Sequence, residues 1–114
     1  MPMDGVWKPR DDSKQVEMVP GVRRQVLAQG ATSLIVRISI AKGAEVPMHT
    51  HFHEQTGHIA SGKFRFTIGG ETRDLGPGDG YAIPPHVPHG GVAIEDDTVA
   101  VDVFNPVREE YVEP

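Results

Sequence analysis

Alternating apolar and polar positions dominate the chain from Gly21 onward. In residues 34–40 every second side chain is aliphatic, and the positions between them include Arg37 and Ser39. Successive side chains of a strand point to opposite faces, so this pattern is typical of a strand with one buried face. Runs of this kind are short and are separated by glycine, proline and acidic turns. Their regular spacing predicts an all-β barrel or sandwich.

The strongest local prediction is a β-hairpin. Residues 64–68 alternate aromatic or aliphatic side chains with polar ones, and Gly69-Gly70 separates them from a second run at 71–75. Two glycines readily adopt the positive φ angles of a two-residue hairpin turn. The same alternation predicts further strands at 34–40, 81–83, 89–94 and 98–104.

The first 20 residues lack this alternation. They are mixed in charge and contain three prolines, which predicts an irregular N-terminal arm at 1–20 that Val6 and Trp7 could pin to the body. A chain of 114 residues supports one modest domain and leaves no room for a separate cofactor domain. We therefore expect a single barrel over residues 21–114.

Composition narrows the classes of function. The chain has no cysteine, which excludes disulfides, thiolate metal sites and cysteine nucleophiles. Its formal charge of -5 argues against a nucleic-acid partner, because such binding depends on Lys and Arg neutralising phosphates. No apolar run approaches the roughly 20 residues of a membrane span, and the first residues do not resemble a signal peptide. We expect a cytoplasmic protein that binds no membrane.

Four of the six histidines lie between His49 and His58. On one extended strand, positions 49, 51, 53 and 55 would share a face, so three imidazoles and the Gln55 amide oxygen could converge. Imidazole favours one divalent transition metal ion, with Ni, Zn, Fe, Mn or Cu all possible, over Ca or Mg. The alternative is a solvated histidine face. The cluster therefore predicts a metal site held by nitrogen and oxygen ligands.

Two segments resemble the sequence motifs of the cupin family. The first has glutamine where the commonest form has glutamate, and the second has His86 where glycine is usual. They read Gly43-x5-His49-x-His51-x3-Gln55-x6-Gly62 and Gly78-x5-Pro84-x-His86-x2-His89. The resemblance implies an antiparallel double-stranded β-helix barrel in a single domain. It also implies a metal ion ligated by His49, His51, Gln55 and His89.

Glutamine is a neutral ligand, so a divalent cation beside it keeps its full charge and is a stronger Lewis acid than one beside glutamate. The sequence leaves alternatives for the roles of the other three histidines. His53 could line the pocket or lie on the surface, and His58, with the opposite parity, is expected to be structural. His86 could reach the pocket mouth or cap its turn.

Asp102 lies in the middle of the apolar strand predicted at 98–104, where a carboxylate is costly to bury without a partner. Arg108 follows Asn105-Pro106 and is near enough in sequence to fold back towards it. The pair could be a buried ion pair that holds the tail, with Phe104 in the core. It could also belong to a functional site.

Four segments together resemble the small pectin-degradation cupins that linearise 4,5-unsaturated monouronates. They are residues 20–27, 49–55, 61–70 and 102–111. The resemblance implies metal-dependent ring opening of these small acidic sugars to open-chain keto sugars, in pectin or alginate catabolism. It assigns Asp102, Phe104 and Arg108 to the catalytic pocket. A metal-dependent cupin dioxygenase and a non-catalytic sugar-binding or regulatory cupin remain alternatives.

The predicted strands 34–40 and 98–104 are apolar on more than one face. A barrel this small cannot bury both sides of such strands alone. We therefore expect a homodimer, which the family resemblance also favours.

Overall fold

The computed structural model describes residues 5–113, which form ten strands and two short 3-10 helices. The helices span Arg10–Asp12 and Glu109–Tyr111. The strands are β1 Gln15–Val19, β2 Val22–Gln29, β3 Leu34–Ile40, β4 Glu45–His49, β5 Glu54–Ser61, β6 Phe64–Ile68, β7 Glu71–Leu75, β8 Gly80–Ile83, β9 His89–Ala93 and β10 Thr98–Asn105. No helix in this part of the chain is long and apolar enough to cross a membrane.

Two antiparallel sheets make up the barrel. One has six strands in the order β1-β2-β3-β10-β5-β8, and the other has four in the order β4-β9-β6-β7. Both sheets contribute to one core, with Leu34 and Ile59 from the first and Phe64 from the second all buried. The predicted all-β, antiparallel double-stranded β-helix is confirmed.

The alternation read from the sequence matches the buried and exposed faces of the strands. In β3 the residues 34, 36, 38 and 40 are buried, whereas Arg37 is exposed. The predicted hairpin is also confirmed, because β6 pairs with β7 from Phe64 opposite Leu75 to Ile68 opposite Glu71. Its turn contains Gly69 at a φ of 62°.

The segment expected to be irregular contains a strand. β1 pairs with β2 at the edge of the larger sheet, so the prediction of an irregular arm is wrong for residues 15–19. Gly21, at a φ of 78°, closes the turn between the two strands. Val6 and Trp7 are 65% and 96% exposed and therefore do not pin the arm to the body. Residues 1–4 of the predicted arm lie outside the described residues.

The pairing of β10 with its neighbours aligns the side chains that face the barrel interior. Asp102 lies opposite Gly57 of β5, which lies opposite Tyr81 of β8. Two residues further along β10, Phe104 lies opposite Gln55. This register aligns residues that are distant in sequence: Asp102, Gly57 and Tyr81 lie side by side across three strands, and Phe104 and Gln55 lie side by side two positions along.

Gly62, the last glycine of the first motif, gives a test of the fold. Its φ is 74°, and a Cβ atom there would lie 2.5 Å from the Thr98 Cα. We expect Gly62→Ala to lower the free energy of unfolding by about 3 kcal/mol, since the left-handed conformation costs about 1–2 kcal/mol and a forced backbone shift about 1–3 kcal/mol. Urea unfolding measures the change.

Gly43→Ala is the matched control for this prediction. Gly43 has a φ of 81°, and a Cβ atom there would meet no other atom within 4 Å, so only the conformational cost of about 1 kcal/mol applies. Equal losses in the two variants would contradict the close contact between Gly62 and Thr98.

Candidate metal centre and catalytic pocket

Three histidines converge inside the barrel. The candidate ligand atoms of His49, His51 and His89 all lie within 4.8 Å of one another. His51 Nε2 is 3.2 Å from His89 Nε2 and 3.1 Å from Gln55 Oε1. His49 and His89 face each other in the pairing of β4 with β9. The three histidines could hold a metal ion, and the Gln55 oxygen adjoins them.

Each of these rings places Nδ1 beside a backbone carbonyl. The Nδ1 atom is 2.8 Å from the carbonyl oxygen of Pro47 for His49, 3.1 Å from that of His53 for His51, and 2.8 Å from that of Val87 for His89. An Nδ1–H that donates to a carbonyl leaves the lone pair on Nε2. Lone pairs that face one another at such distances repel unless a cation lies between them. The donor set therefore fits a divalent transition metal ion.

Two of these rings, His51 and His89, are poised to be neutral. Burial lowers the pKa of His89 to about 4, and the neighbouring histidines His49 and His51 contribute to this lowering. Burial, followed by the charge of Arg108, also lowers the pKa of His51. Neutral imidazole is the form that ligates a metal ion, so no proton has to be displaced from these two rings near pH 7.

The predicted ligand residues do not lie on one strand, although the sequence pattern indicates that they do. β4 ends at His49 and β5 begins at Glu54, so residues 50–53 connect the two sheets. His49 and Gln55 therefore reach the centre from opposite sheets, and strand parity does not place them together. The prediction of one shared strand face is wrong because the chain turns between these residues.

The other three histidines lie outside the triad. His53 is 3% exposed and stacks on Phe52 with ring centroids 4.0 Å apart, and neither ring nitrogen has a hydrogen-bond partner among the described residues. His58 and His86 are exposed. His86 takes a left-handed φ of 68°, which explains why glycine is usual in the related motif. Its backbone N–H donates to the His51 carbonyl at 2.8 Å and ties this loop to the centre.

The C-terminal residues predicted for the pocket share one cavity with two of the three histidines, His49 and His89. Asp102 is 5% exposed and Phe104 2% exposed. The cavity has a volume of about 60 Å³ and is partly open to solvent. Its polar lining comprises His49, Gln55, His89, Asp102, Arg108, Tyr81 and Tyr111. An acid and a guanidinium thus face the same space as the candidate metal ligands.

Asp102 and Arg108 do not form the ion pair that was one of the two interpretations of the sequence. Within residues 5–113 the salt bridge of Arg108 is to Glu110, with Nε 3.5 Å from Oε1. The guanidinium carbon lies 5.1 Å from the centroid of the Phe104 ring and 4.3 Å from that of Tyr111. The Arg108 side chain is only 11% exposed, so two aromatic rings hold a largely desolvated cation at the cavity.

The partner of Asp102 is Tyr81, whose hydroxyl donates to Oδ1 over 2.5 Å. Burial raises the pKa of Asp102 to about 6, and interactions with Tyr81, Gln55 and Arg108 oppose this rise without cancelling it. Desolvation is the largest of these effects and outweighs the charge of Arg108. A bound cation would favour the ionised form.

Tyr81 and Tyr111 are site residues that the sequence patterns did not single out. Tyr81 lies on a predicted short strand, and only the pairing of β8 with β5 brings its side chain to Asp102. Tyr111 lies beyond the barrel, in the second 3-10 helix. Tyr81 occupies an unspecified position of the second motif and Tyr111 ends the segment 102–111, so the residue spacing assigned a role to neither of them.

The fold and this site define the class of protein. The family model described as Cupin domain matches residues 36–104. This range contains both histidine-bearing segments and most of the barrel. The chain is thus a cupin with a histidine triad that could hold a metal ion.

Known relatives place it more narrowly. The pectin degradation protein KdgF of Dickeya dadantii (strain 3937) is 32% identical over 103 residues, which cover 90% of this chain and 94% of that protein. The structure of KdgF from Halomonas sp. matches with a TM-score of 0.89 and 31% identity, over 95% of this chain and 99% of that one. The chain belongs to the KdgF family of cupins.

Two further proteins are similar to this chain. An RmlC-like cupin from Shewanella frigidimarina NCIMB 400 matches with a TM-score of 0.88 and 30% identity, over 98% of this chain and all of the other. The H2HPP isomerase of Bacillus subtilis is 30% identical over 92 residues, which are 79% of this chain and 39% of that protein.

Metal binding should stabilise the folded protein through the histidine triad. For chelator-treated wild-type protein, a divalent transition metal ion at about 100 times its dissociation constant should raise the free energy of unfolding by about 2.7 kcal/mol. His89→Ala removes one ligand, so the same metal concentration should raise its stability far less. Thermal unfolding with and without metal measures the metal-induced change in stability separately for each protein.

His58→Ala is the control, because His58 is exposed and outside the triad. It should retain the full metal-induced stabilisation. An unchanged stabilisation in His89→Ala would place the bound ion elsewhere.

Proposed function

We propose that this protein opens the ring of 4,5-unsaturated monouronates and releases open-chain keto sugars, in the breakdown of pectin or alginate. The observation that carries the proposal is a single cavity lined by metal-ligating groups, a buried carboxyl and a desolvated guanidinium. The similarity to the pectin degradation protein KdgF supports it. The substrate is a small acidic sugar, which complements the charge of Arg108.

Arg108 is suited to bind the carboxylate of the sugar. Its Nε is buried and has no hydrogen-bond partner within residues 5–113, although Glu110 lies nearby. Guanidinium and carboxylate groups form two parallel hydrogen bonds, which fix orientation as well as position. The Phe104 and Tyr111 rings hold the guanidinium, so little freedom is lost when the substrate binds. Phe104 also packs beside the sugar and excludes water from it.

One divalent transition metal ion, of Ni, Zn, Fe, Mn or Cu, would be held by His49, His51, Gln55 and His89. When bound, it supplies Lewis-acid polarisation of a substrate oxygen. Gln55 has a second use. Because its oxygen adjoins His51 Nε2, its amide nitrogen is free to donate towards Asp102, an interaction that lowers the pKa of that carboxyl. A glutamate at this position could not donate and would repel the Asp102 carboxylate.

Asp102 moves the protons. The substrate is an enol ether whose ring oxygen is also part of a hemiacetal, and its opening is an isomerisation. The anomeric hydroxyl loses a proton, the bond from the anomeric carbon to the ring oxygen breaks, and the resulting enolate gains a proton at the ring carbon C4. One carboxyl can accept the first proton and return it at C4. Asp102, with a pKa raised by burial to about 6, suits both steps near neutral pH.

Asp102→Asn tests this role, because it keeps the shape of the side chain and removes its ability to accept a proton. We expect kcat on unsaturated galacturonate to fall at least about 100-fold, the size of a typical general acid–base contribution. Bound metal, measured by elemental analysis, should stay unchanged. Loss of the ultraviolet absorbance of the substrate follows the reaction.

Asp74→Asn is the control for this variant. Asp74 is exposed and pairs with Arg65, and both residues lie on the smaller sheet, whereas Asp102 lies on the larger one. It should keep wild-type turnover. Retained activity in Asp102→Asn would remove Asp102 from the mechanism.

Two measurements on the wild type distinguish the alternative functions. Consumption of oxygen with a candidate substrate would indicate a dioxygenase. Binding of the sugar without formation of product would indicate a sugar-binding cupin.

We propose a homodimer as the assembled form. The outward face of the larger sheet carries half-buried aliphatic side chains on adjacent strands, at Leu27, Ile35, Val101 and Val103. A second copy of the chain would cover this face, and the exposed Trp7 gives each copy a further apolar group to place on its partner. The cytoplasmic location remains a prediction from the sequence.

The assembled form can be measured by light scattering. Wild-type protein should have twice the chain mass of 12.4 kDa. Val103→Glu places a charge in the apolar face and should shift the protein to monomer, whereas Thr72→Glu, at an exposed position of the other sheet, should not. A wild-type monomer would overturn the proposed dimer.

A further inference from the structure

We propose that Tyr81 is a positioning residue that holds the Asp102 carboxylate in the orientation needed for proton transfer. Gly57, which has no side chain, leaves the space through which the Tyr81 hydroxyl reaches this carboxylate. This inference rests on the proposed role of Asp102. The Tyr81 hydroxyl donates to Asp102 Oδ1 over 2.5 Å, a length typical of a strong hydrogen bond from a hydroxyl to a carboxylate. The two residues are 21 positions apart in sequence and lie on strands that are not neighbours.

The contact spans an intervening strand. β5 lies between β8 and β10, and its residue opposite both Tyr81 and Asp102 is Gly57. A Cβ atom on residue 57 would lie 2.9 Å from the Tyr81 hydroxyl and 2.6 Å from the Val101 carbonyl oxygen, and closer still to Asp102 Oδ1. A side chain there would therefore separate the two groups. Glycine at this position leaves the gap through which the hydroxyl reaches the carboxylate.

The tyrosine ring is itself held in place. It packs edge-on against Phe66, with ring centroids 4.9 Å apart and an interplanar angle of 87°. Phe66 belongs to the smaller sheet, so Tyr81 is fixed from across the barrel. The hydroxyl thus has one defined position and imposes it on Oδ1.

An aspartate side chain without such a partner can rotate about its last torsion angle, which is broad and has no sharp preferred value. Small misplacements of a reacting group can cost about 100-fold in rate. Loss of the Tyr81 hydroxyl should therefore slow the chemical step without weakening substrate binding. A role limited to packing would instead lower stability and leave kcat per folded molecule unchanged.

Tyr81→Phe removes only the hydroxyl. On unsaturated galacturonate we expect kcat to fall about 10- to 100-fold, with KM changed less than about threefold and bound metal unchanged. Ser61→Ala is the control, because it removes a hydroxyl hydrogen bond of the same 2.5 Å length, to the Asp97 carbonyl, on β5 but outside the cavity. Ser61→Ala should keep wild-type kcat. A wild-type kcat in Tyr81→Phe would overturn the proposal, as would a rise in KM at constant kcat.

Crystal structures of the wild type and Tyr81→Phe provide a readout that needs no turnover. We expect the Asp102 carboxylate to rotate away from its wild-type orientation in the variant. An unchanged orientation would overturn the positioning role. If the wild type fails to convert any unsaturated uronate, the proposed function is wrong, and the crystal structures still decide whether Tyr81 orients Asp102. Gly57→Ala should displace the same carboxylate while both side chains remain, which gives a second variant if Tyr81→Phe is unstable.

Discussion

The arrangement of the site depends on the register of β10 between β3 and β5. Antiparallel pairing repeats every two residues on one face, so a single alignment of β10 places Asp102 beside Gly57 and Phe104 beside Gln55. A slip of one residue would turn both side chains to the outside of the barrel. Ala100 and Phe104 are buried on the same face as Asp102 and resist such a slip, because it would expose them. The apolar packing of this strand therefore also fixes where the carboxyl lies.

The cost of burying polar groups explains the composition of the cavity. Asp102, Gln55 and His89 are all at most 5% exposed, and each has a partner that offsets its lost hydration. Backbone carbonyls orient the histidines, Tyr81 donates to Asp102, and two aromatic rings cover the Arg108 cation. The arrangement concentrates unlike charges and donors among largely buried side chains. Electrostatic interactions there are stronger than at the surface.

Much of the fold was predictable, because it follows from local patterns. Alternation in residues 34–40 and 98–104 identified two central strands, and Gly69-Gly70 identified a hairpin. β1 was missed because an exposed edge strand has no buried face to generate alternation, and its burial pattern is exposed for the first three residues. The connection at 50–53 was missed because a histidine cluster gives the same alternating pattern whether the chain is straight or turns between sheets.

The sequence by itself determined the residue types of the site: three imidazoles and an amide at fixed spacings, and an acid, an aromatic and a guanidinium near the end of the chain. Only the tertiary structure decided their neighbours. It paired Asp102 with Tyr81 across Gly57 and left Arg108 between aromatic rings, with no ion pair to Asp102 within residues 5–113. The physical reason is that partners across a sheet are set by strand order and register. These arise from packing of the whole barrel and leave no trace in the spacing of any one segment.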